Sequence, residues 1–468
     1  MDAITAQLDR EVARAVSAWR QAVRALRQGG PEAASNPLEH ARRVSSRATF
    51  LELTGREAGI GADFGIAPSS PAAPPDALAL ALASWVHVLT LERVLFADRV
   101  RIAAAWHVPS IVVEGQLGED GPDRVTPREA LLALLAERSD EPRRAWAEAL
   151  ARGAGAIADA ARIFAERREE ARRRLGVEGD PPLEIPIDPP DAALRVAGAL
   201  LARTAPHPEG APTWDAAIGR ASGRDAAAGW PARLGSRWLE DLFRPTGLTE
   251  GLALDLGPLP RALGASSFAR ALSRFGAALA WASAPAAAPF SLAHPPFDVQ
   301  RARRAALFGG LVADRVFCAR ALGLGRGADR DQARVTARAL TLTLRLDAAR
   351  LCLEAGPDGG VLLRGARARA DRFEEETARA LGAPIPGALA GVVPELDRGA
   401  AVRLVGALLA ARDRRALVER FDEDWFRNPR AAEAIRGEDA VLPPSPRIAA
   451  ADLEAGLDAL VQALDAVG

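Results

Sequence analysis

The sequence predicts an all-α fold, and three observations carry this prediction. Apolar residues recur at spacings of three and four over most of the chain, which is the periodicity of amphipathic helices. Proline and glycine interrupt this pattern in short segments, as expected of loops between helices. Alternating strand patterns are scarce, so we expect at most a small β element. No repeat of fixed period is present, which argues against a solenoid.

Each long amphipathic stretch predicts a helix. In chain order these stretches cover residues 8–28, 78–106, 266–283, 301–324, 332–355 and 397–421. Two short alternating segments are the strand candidates, VPSIVVEG (108–115) and GLALDLG (251–257).

The strongest break in the helical pattern is VEGDPPLEIPIDPP (177–190). Its prolines cannot continue a helix, and they are typical of a linker. We therefore predict two helical lobes, an N-terminal lobe of residues 1–185 and a second lobe of residues 186–468. A chain of 468 residues is long enough for both lobes to bury a core.

Charge and composition argue against nucleic-acid binding. The sequence contains no Lys, so all 60 basic residues are Arg, against 61 acidic residues and a net charge of −1. Acids and arginines are interspersed, as in EPRRAWAEALARG (141–153), which predicts solvated helix faces rather than a basic stripe. The bias toward Ala and Arg is typical of a GC-rich bacterial genome.

Three features predict a cytoplasmic protein with no membrane partner. The start of the sequence, MDAITAQLDREVARAV, has no apolar run of the kind that a secretory signal needs. The longest uncharged apolar run, residues 77–91, is shorter than the ~20 residues of a membrane span. Cys318 and Cys352 lie inside helical patterns, which is typical of buried free thiols in a reducing compartment.

The residue types of common catalytic sites are absent or scattered. A His-Glu-x-x-His zinc helix places two imidazoles four residues apart, but no two histidines here are three or four apart. No Glu lies between Glu250 and Glu354, and the sequence has no Tyr to stabilise a tetrahedral intermediate. The histidines are His40, His87, His107, His207 and His294.

Other catalytic signatures are also missing. There is no G-x-S-x-G elbow and no P-loop ending in Gly-Lys-Ser/Thr. LGLGRG (322–327) is rich in glycine but follows a helical pattern, so we interpret it as a helix end and turn. A metal site assembled from distant histidines or acids stays open as an alternative.

Four segments in order resemble the M3-type gluzincin metallopeptidases, the family of thimet oligopeptidase and oligoendopeptidase. SRFGAAL (273–279) has the outline of the family's zinc helix HEFGHAL, and it follows a similar lead-in, residues 253–272. The helical stretch 307–323 comes where the family has its Glu-bearing helix. Residues 341–355 and FDEDWFRNPRAAEAI (421–435) resemble later family segments. The resemblance implies a two-lobed, zincin-like helical architecture.

Carried over residue by residue, the resemblance implies a degenerate zinc site. Ser273 and Ala277 occupy the positions of the two ligand histidines, and Arg274 replaces the general-base Glu. The third ligand would fall near Gly309 or Gly310, where no carboxylate is present. Arg274 puts a permanent cation at this place, so the face could hold an anion or a peptide carboxylate. The alternative is that Arg274 is an ordinary surface or salt-bridged residue.

Trp425 and Phe426 lie in the acidic segment DEDWFRNPR (422–430). Together with Arg274 they could line a binding groove. The structural alternative, which we prefer, is an aromatic anchor at a helix end, with Asn428-Pro429 starting the next helix.

We therefore expect a catalytically inactive, metallopeptidase-like protein with no catalytic residue, no metal and no cofactor. Its role would be to bind a peptide or protein partner in the former substrate channel, or to pair with an active paralogue. One alternative is an active metal-dependent hydrolase with a non-standard site. The other is a helical scaffold unrelated to peptidases. Both depend on features that only a structure can test.

Overall fold

The protein is all-α, as predicted. Its structure is a computed structural model that describes most of the chain. The described residues are 3–29, 35–54, 77–113, 123–176, 187–204, 213–223, 226–231, 235–257, 259, 264–285, 287–354, 366–390, 399–437 and 448–467.

The helices of the first half, in chain order, are α1 (Ala3–Arg27), α2 (Arg47–Thr54), α3 (Ala77–His107), α4 (Pro127–Ala136), α5 (Asp140–Gly153), α6 (Gly155–Leu175), α7 (Ala192–Arg203) and α8 (Trp214–Ala221). Those of the second half are α9 (Ser236–Phe243), α10 (Ala265–Ala282), α11 (Phe290–Ala293), α12 (Val299–Gly309), α13 (Arg315–Ala321), α14 (Ala328–Glu354), α15 (Ala366–Leu381), α16 (Gly399–Phe421), α17 (Pro429–Arg436) and α18 (Ala450–Val467).

Short strands accompany the helices in the described ranges. They are β1 (Ile111–Val113), β2 (Asp123–Val125), β3 (Ile187–Asp188) and β4 (Ile448–Ala449). β1 pairs with β2 in antiparallel fashion, and β3 pairs with β4 in parallel. β1 lies inside the predicted strand segment 108–115.

The chain divides into two compact units. Unit 1 consists of Met1–Pro109, Gly155–Ile185 and Ala284–Asp298, and unit 2 of Ser110–Ala154, Pro186–Ser283 and Val299–Gly468. This division includes a change of unit after residue 185, where the sequence predicts the lobe boundary. It also places 110–154 with the later residues and 284–298 with the earlier ones, so the units are not continuous in sequence.

Unit 1 is built around α3, which packs against α1, α2 and α6. Its apolar side includes Trp85 and Leu89, both fully buried. Polar groups on α3 also form hydrogen bonds. The Glu92 carboxylate accepts hydrogen bonds from Arg99 and from the Trp19 indole N–H, the latter at 3.2 Å. The helix is therefore held by both apolar packing and a partly buried ion pair.

By length and composition, α3 is also the one helix among the described residues that could cross a bilayer. Of its most apolar 18-residue window, 56% is buried in the structure. The core helix of a globular unit gives the same signal, so this composition alone is weak evidence for a membrane span.

In unit 2, α12 lies against both α10 and α16, and α16 in turn packs on α18. A cluster of aromatic rings fills the core around α10 and α12. Phe243 stacks on Phe275 with ring centroids 4.5 Å apart, and Phe308 meets each of them edge-on at 5.3 Å. This core fixes the face of α10 that points inward.

A single arginine of α14 ties two other helices of unit 2 together. The buried Arg345 guanidinium donates hydrogen bonds to the carbonyls of Leu201 and Thr204 at the end of α7, each at 2.7 Å. It also donates to Ala380 O at 2.7 Å and Arg379 O at 2.6 Å, at the end of α15. Burial lowers the pKa of Arg345 to about 10. Carbonyls at helix ends lack helical partners, and Arg345 satisfies four of them.

The predicted single helix over residues 301–324 is wrong. The structure has α12, a 3₁₀ turn at Gly310–Ala313, and α13. Two glycines at 309 and 310 weaken the helix at this point. Asp314 then starts α13, because its carboxylate accepts hydrogen bonds from the backbone N–H groups of Val316 at 2.8 Å and Phe317 at 3.3 Å.

The predicted strand over residues 251–257 is also wrong, because this described segment contains no strand. Its alternating leucines pack against the aromatic core of unit 2, with Leu256 buried and Leu252 and Leu254 partly buried. The alternation therefore marks a loop that lies on helices and has no strand to pair with.

Candidate functional site

The predicted zinc-helix positions all lie on α10. Phe275 and Gly276 face the core and are buried. Ser273, Arg274 and Ala277 are half-buried and lie outside the fully buried stripe. The three predicted site residues therefore share the half-buried side of the helix, here called its outer side, and Ser273 lies at the edge of this side that borders α12.

The structure brings Ser273 and Gly309 into direct contact at the crossing of α10 and α12. A Cβ added at Gly309 would overlap the Ser273 Oγ and would lie 3.2 Å from Ala269 O. A Cβ at Gly276 would lie 2.9 Å from a Phe308 ring carbon. The two helices thus approach through small residues, and no space remains between Ser273 and Gly309. Gly310 has no such contact, since a Cβ there would meet nothing within 4 Å.

The outer side of α10 is cationic. Arg270 lies one helical turn before Arg274, on the same side of the helix. From Leu256 to Phe297 the sequence has no Asp and no Glu, so α10 contributes no acid to balance them. No hydrogen bond or ion pair of Arg270 is found among the described residues.

A second arginine of unit 2 contributes to the electrostatics of Arg270. This is Arg403 of α16, whose guanidinium donates to the Asp347 carboxylate at 2.8 and 3.1 Å. Asp347 is buried on α14 and also accepts from Arg350 at 3.2 Å. Burial, and then the charge of Arg403, lower the pKa of Arg270 below its ordinary value.

Trp425 and Phe426 do not line a groove. Both are buried, at 1% and 4% exposure, in the core of unit 2. Phe426 meets Phe317 edge-on at 5.3 Å. The next helix, α17, begins with Pro429 after Asn428, whose side-chain oxygen accepts a hydrogen bond from Arg430 N at 3.0 Å. This matches the structural alternative, an aromatic anchor before a proline-initiated helix.

The same segment does border an open surface pocket of about 450 Å³. Half of its lining residues are charged, and the lining comes from the end of α16, from α17 and from the residues that flank them. The residues are Arg420, Phe421, Asp422, Asn428, Arg430, Glu433, Ala434 and Gly437. Two arginines and two acids balance each other here, so the pocket has no net preference for one sign of charge.

The histidines are not gathered at this site. His87 is buried in unit 1 beside the Phe50 ring, and His107 lies against Gly29. His207 lies outside the described residues. Within the described ranges, no group of three or more His, Cys, Asp and Glu side chains could hold a metal ion.

Both cysteines of the chain are buried free thiols. Burial, and then the nearby Asp314 and Asp329 carboxylates, raise the pKa of Cys318 to about 12. Burial and then Glu376 raise the pKa of Cys352. Thiols with such a pKa are poor nucleophiles near neutral pH, so neither is arranged as a catalytic group.

Sequence reasoning missed Arg270 and Arg403. One available signal was the acid-free stretch around α10, in which Arg270 precedes Arg274 by four residues. The electrostatic effect of Arg403 on Arg270 links residues that are 133 positions apart in the chain, which no local pattern predicts.

No protein-family model matches this chain, and no curated protein matches it.

Proposed function

We propose that this protein is catalytically inactive and metallopeptidase-like, and that it binds a peptide or protein partner through the outer side of α10 in unit 2. The observation that carries the catalytically inactive part of the proposal is the direct contact between Ser273 and Gly309. In the family that the sequence resembles, ligand side chains from two successive helices converge on a metal. Here the matching positions carry a hydroxyl and a glycine in van der Waals contact.

The charge of this face also supports binding over catalysis. Arg274 stands where the general-base Glu would be, and Arg270 adds a second cation one turn away. A metal-dependent peptidase needs side chains that bind the metal and a side chain that acts as general base. Guanidinium groups can do neither, because they stay protonated. They are suited to carboxylates instead, through paired charge-assisted hydrogen bonds.

A helical scaffold unrelated to peptidases is the second candidate, and the same Ser273–Gly309 contact favours it. Small residues at a helix crossing need no catalytic ancestry, because they allow close backbone approach in any helical protein. The two candidates differ in one expectation, since a scaffold has no affinity for short peptides at α10.

The first experiment measures zinc and peptide chemistry on the same purified protein. After incubation with zinc and desalting, we expect well below one zinc per chain by elemental mass spectrometry. We also expect no cleavage of a fluorogenic peptide library, but measurable binding of labelled peptides. Zinc near one per chain with zinc-dependent cleavage would overturn the proposal in favour of an active hydrolase. Absence of both cleavage and binding would favour the scaffold.

A further inference from the structure

We propose that the open surface pocket at the end of α16 and along α17 binds a small zwitterionic ligand, an α-amino acid or a dipeptide, through its ammonium and its carboxylate groups. The pocket holds about 450 Å³, which is within the size range of small-molecule sites. It lies wholly in unit 2 and shares no lining residue with α10. The inference is therefore separate from the proposed function.

The first argument is the charge of the lining. The charged side chains are two of each sign, and they are Arg420, Asp422, Arg430 and Glu433. All four are exposed, and none forms a side-chain hydrogen bond or an ion pair with another described residue. The pocket therefore offers groups for an anion and groups for a cation at the same time. A ligand that carries both charges is complementary to this lining, whereas a simple anion or cation also meets like charge.

The second argument is that two of these charges are disfavoured by the helix ends beside them. Asp422 directly follows α16, where the partial negative charge of the helix C-terminus repels a carboxylate. Arg430 lies in the first turn of α17, where the partial positive charge of the N-terminus repels a guanidinium. Local structure therefore explains neither charge. An ammonium beside Asp422 and a carboxylate beside Arg430 compensate both.

The backbone at Asp422 points the same way. Its φ of 68° is the one left-handed backbone conformation of a non-glycine residue in the described ranges. Glycine is the usual residue at such a position after a helix, because a Cβ is unfavourable there. Asp422 thus keeps a carboxylate where local stability favours glycine, and residues in such conformations cluster at functional sites.

The third argument is that the pocket walls are held in place. The segment that joins α16 to α17 is anchored in the core of unit 2 by the buried Trp425 and Phe426. Phe426 meets the Phe317 ring edge-on at 5.3 Å. Asn428, which also lines the pocket, caps α17 by accepting a hydrogen bond from Arg430 N at 3.0 Å. A preformed site loses little entropy on binding, which suits a ligand that offers few contacts.

The uncharged part of the lining decides the probes. It includes Phe421, which has the Arg420 guanidinium 5.0 Å from its ring centroid, and the small side chain of Ala434. A methyl side chain can contact both without displacing the charged groups. The probes are therefore L-alanine and L-alanyl-L-alanine, whose charged ends differ in separation by one residue, or ~3.5 Å.

The test uses the full chain and variants that each remove one charge. Asp422→Asn keeps a residue type that tolerates the left-handed conformation, and Asp422→Gly relieves that conformation, so both are expected to fold. Arg430→Gln removes the cation of α17. Glu423→Gln and Arg427→Gln are the matched controls, because both residues are exposed charges between α16 and α17 that do not line the pocket.

Saturation-transfer NMR detects the alanine methyl groups of a weakly bound probe, and a titration gives its dissociation constant. We expect at least one probe to bind, and the tighter of the two identifies the length of the zwitterion that fits. N-acetylation or C-terminal amidation of that probe should weaken binding at least ~10-fold, because each removes a charge-assisted hydrogen bond. The two Asp422 variants and Arg430→Gln should show the same loss, and the controls should bind like the wild type.

Three results would overturn the inference. Absence of binding of both probes at ~10 mM would remove the site, since this is weaker than the affinity of ordinary small ligands. Equal binding of the free and the capped probes would overturn the zwitterion assignment. Binding that the Asp422 and Arg430 variants leave unchanged would lie outside this pocket, and the same result in the control variants as in the pocket variants would reduce the effect to net charge.

Discussion

Gly309→Ala tests whether the α10–α12 crossing is closed. The backbone at Gly309 is helical, with φ −60° and ψ −32°, so alanine fits without backbone strain. On helix propensity alone the change would stabilise the protein by up to about 1 kcal/mol. The added methyl group would instead overlap the Ser273 Oγ and press on Ala269 O at 3.2 Å.

The expected net effect is destabilising. Overpacking of a buried contact typically costs about 1–3 kcal/mol, which outweighs the propensity gain. Adding Ser273→Ala removes the overlapping oxygen and leaves the new methyl 3.4 Å from the Ser273 Cβ position, an ordinary contact. The double variant should therefore recover most of the loss, with a coupling free energy of about 1–2 kcal/mol.

Gly310→Ala is the matched control, because a Cβ there meets nothing within 4 Å. Hydrogen exchange of peptides from α10 and α12, read by mass spectrometry, reports the local free energy of opening of this crossing. This readout stays valid if the two units do not unfold in one transition. If Gly309→Ala is tolerated as well as Gly310→Ala, or if Ser273→Ala gives no rescue, then the crossing is open and the packing interpretation is refuted.

Three further predictions concern the stability and chemistry of the core. Arg345→Ala should destabilise unit 2 by roughly 3 kcal/mol or more in denaturant titrations, because buried carbonyls at two helix ends lose their donor. A loss below about 1 kcal/mol would contradict the stabilising role of the Arg345 hydrogen bonds. Asp413→Ala should cost about 3–5 kcal/mol because it removes the carboxylate that pairs with the buried Arg303, whereas Arg303→Met with Asp413→Leu should restore most of the stability if apolar packing can replace the pair. Cys318 and Cys352 should both resist a thiol reagent at pH 8 and react only after unfolding, since a pKa of about 12 leaves roughly one Cys318 thiol in 10⁴ ionised; rapid modification of the native protein would contradict this.

Much of the fold was predictable because helix periodicity is local. The long helices α1, α3, α14 and α16 follow from their apolar spacing, and α17 follows from its Asn-Pro start. The failures have different physical causes. The leucines of 251–257 alternate because they pack on a tertiary surface, so tertiary packing overrides the local pattern there. The glycines at 309 and 310 end a helix that apolar spacing alone continues to residue 324, so a local signal was present but was outweighed by the apolar spacing.

The candidate site was predictable in composition but not in arrangement. The sequence identified Ser273 and Gly309 as partners only through the family resemblance, and it gave no reason to expect contact at van der Waals distance. For Trp425 and Phe426 the sequence left two alternatives open, because aromatic residues beside acids are compatible with either a binding groove or an anchor in the core. Their burial in the core of unit 2 depends on Phe308 and Phe317, which lie over a hundred residues earlier in the chain.

The positive charge of α10 distinguishes a peptide-binding protein from a zinc-dependent hydrolase more clearly than the missing zinc ligands do. At an effective dielectric constant near 20, one positive charge ~7 Å from a divalent metal ion opposes its binding by about 5 kcal/mol. Arg270 and Arg274 on one side of α10 would therefore weaken zinc binding even if histidines were restored at 273 and 277. The same charges attract a carboxylate. A substitution series that restores ligands without removing these arginines should thus fail to recruit zinc, and removing Arg270 and Arg274 as well should raise the zinc affinity of that series.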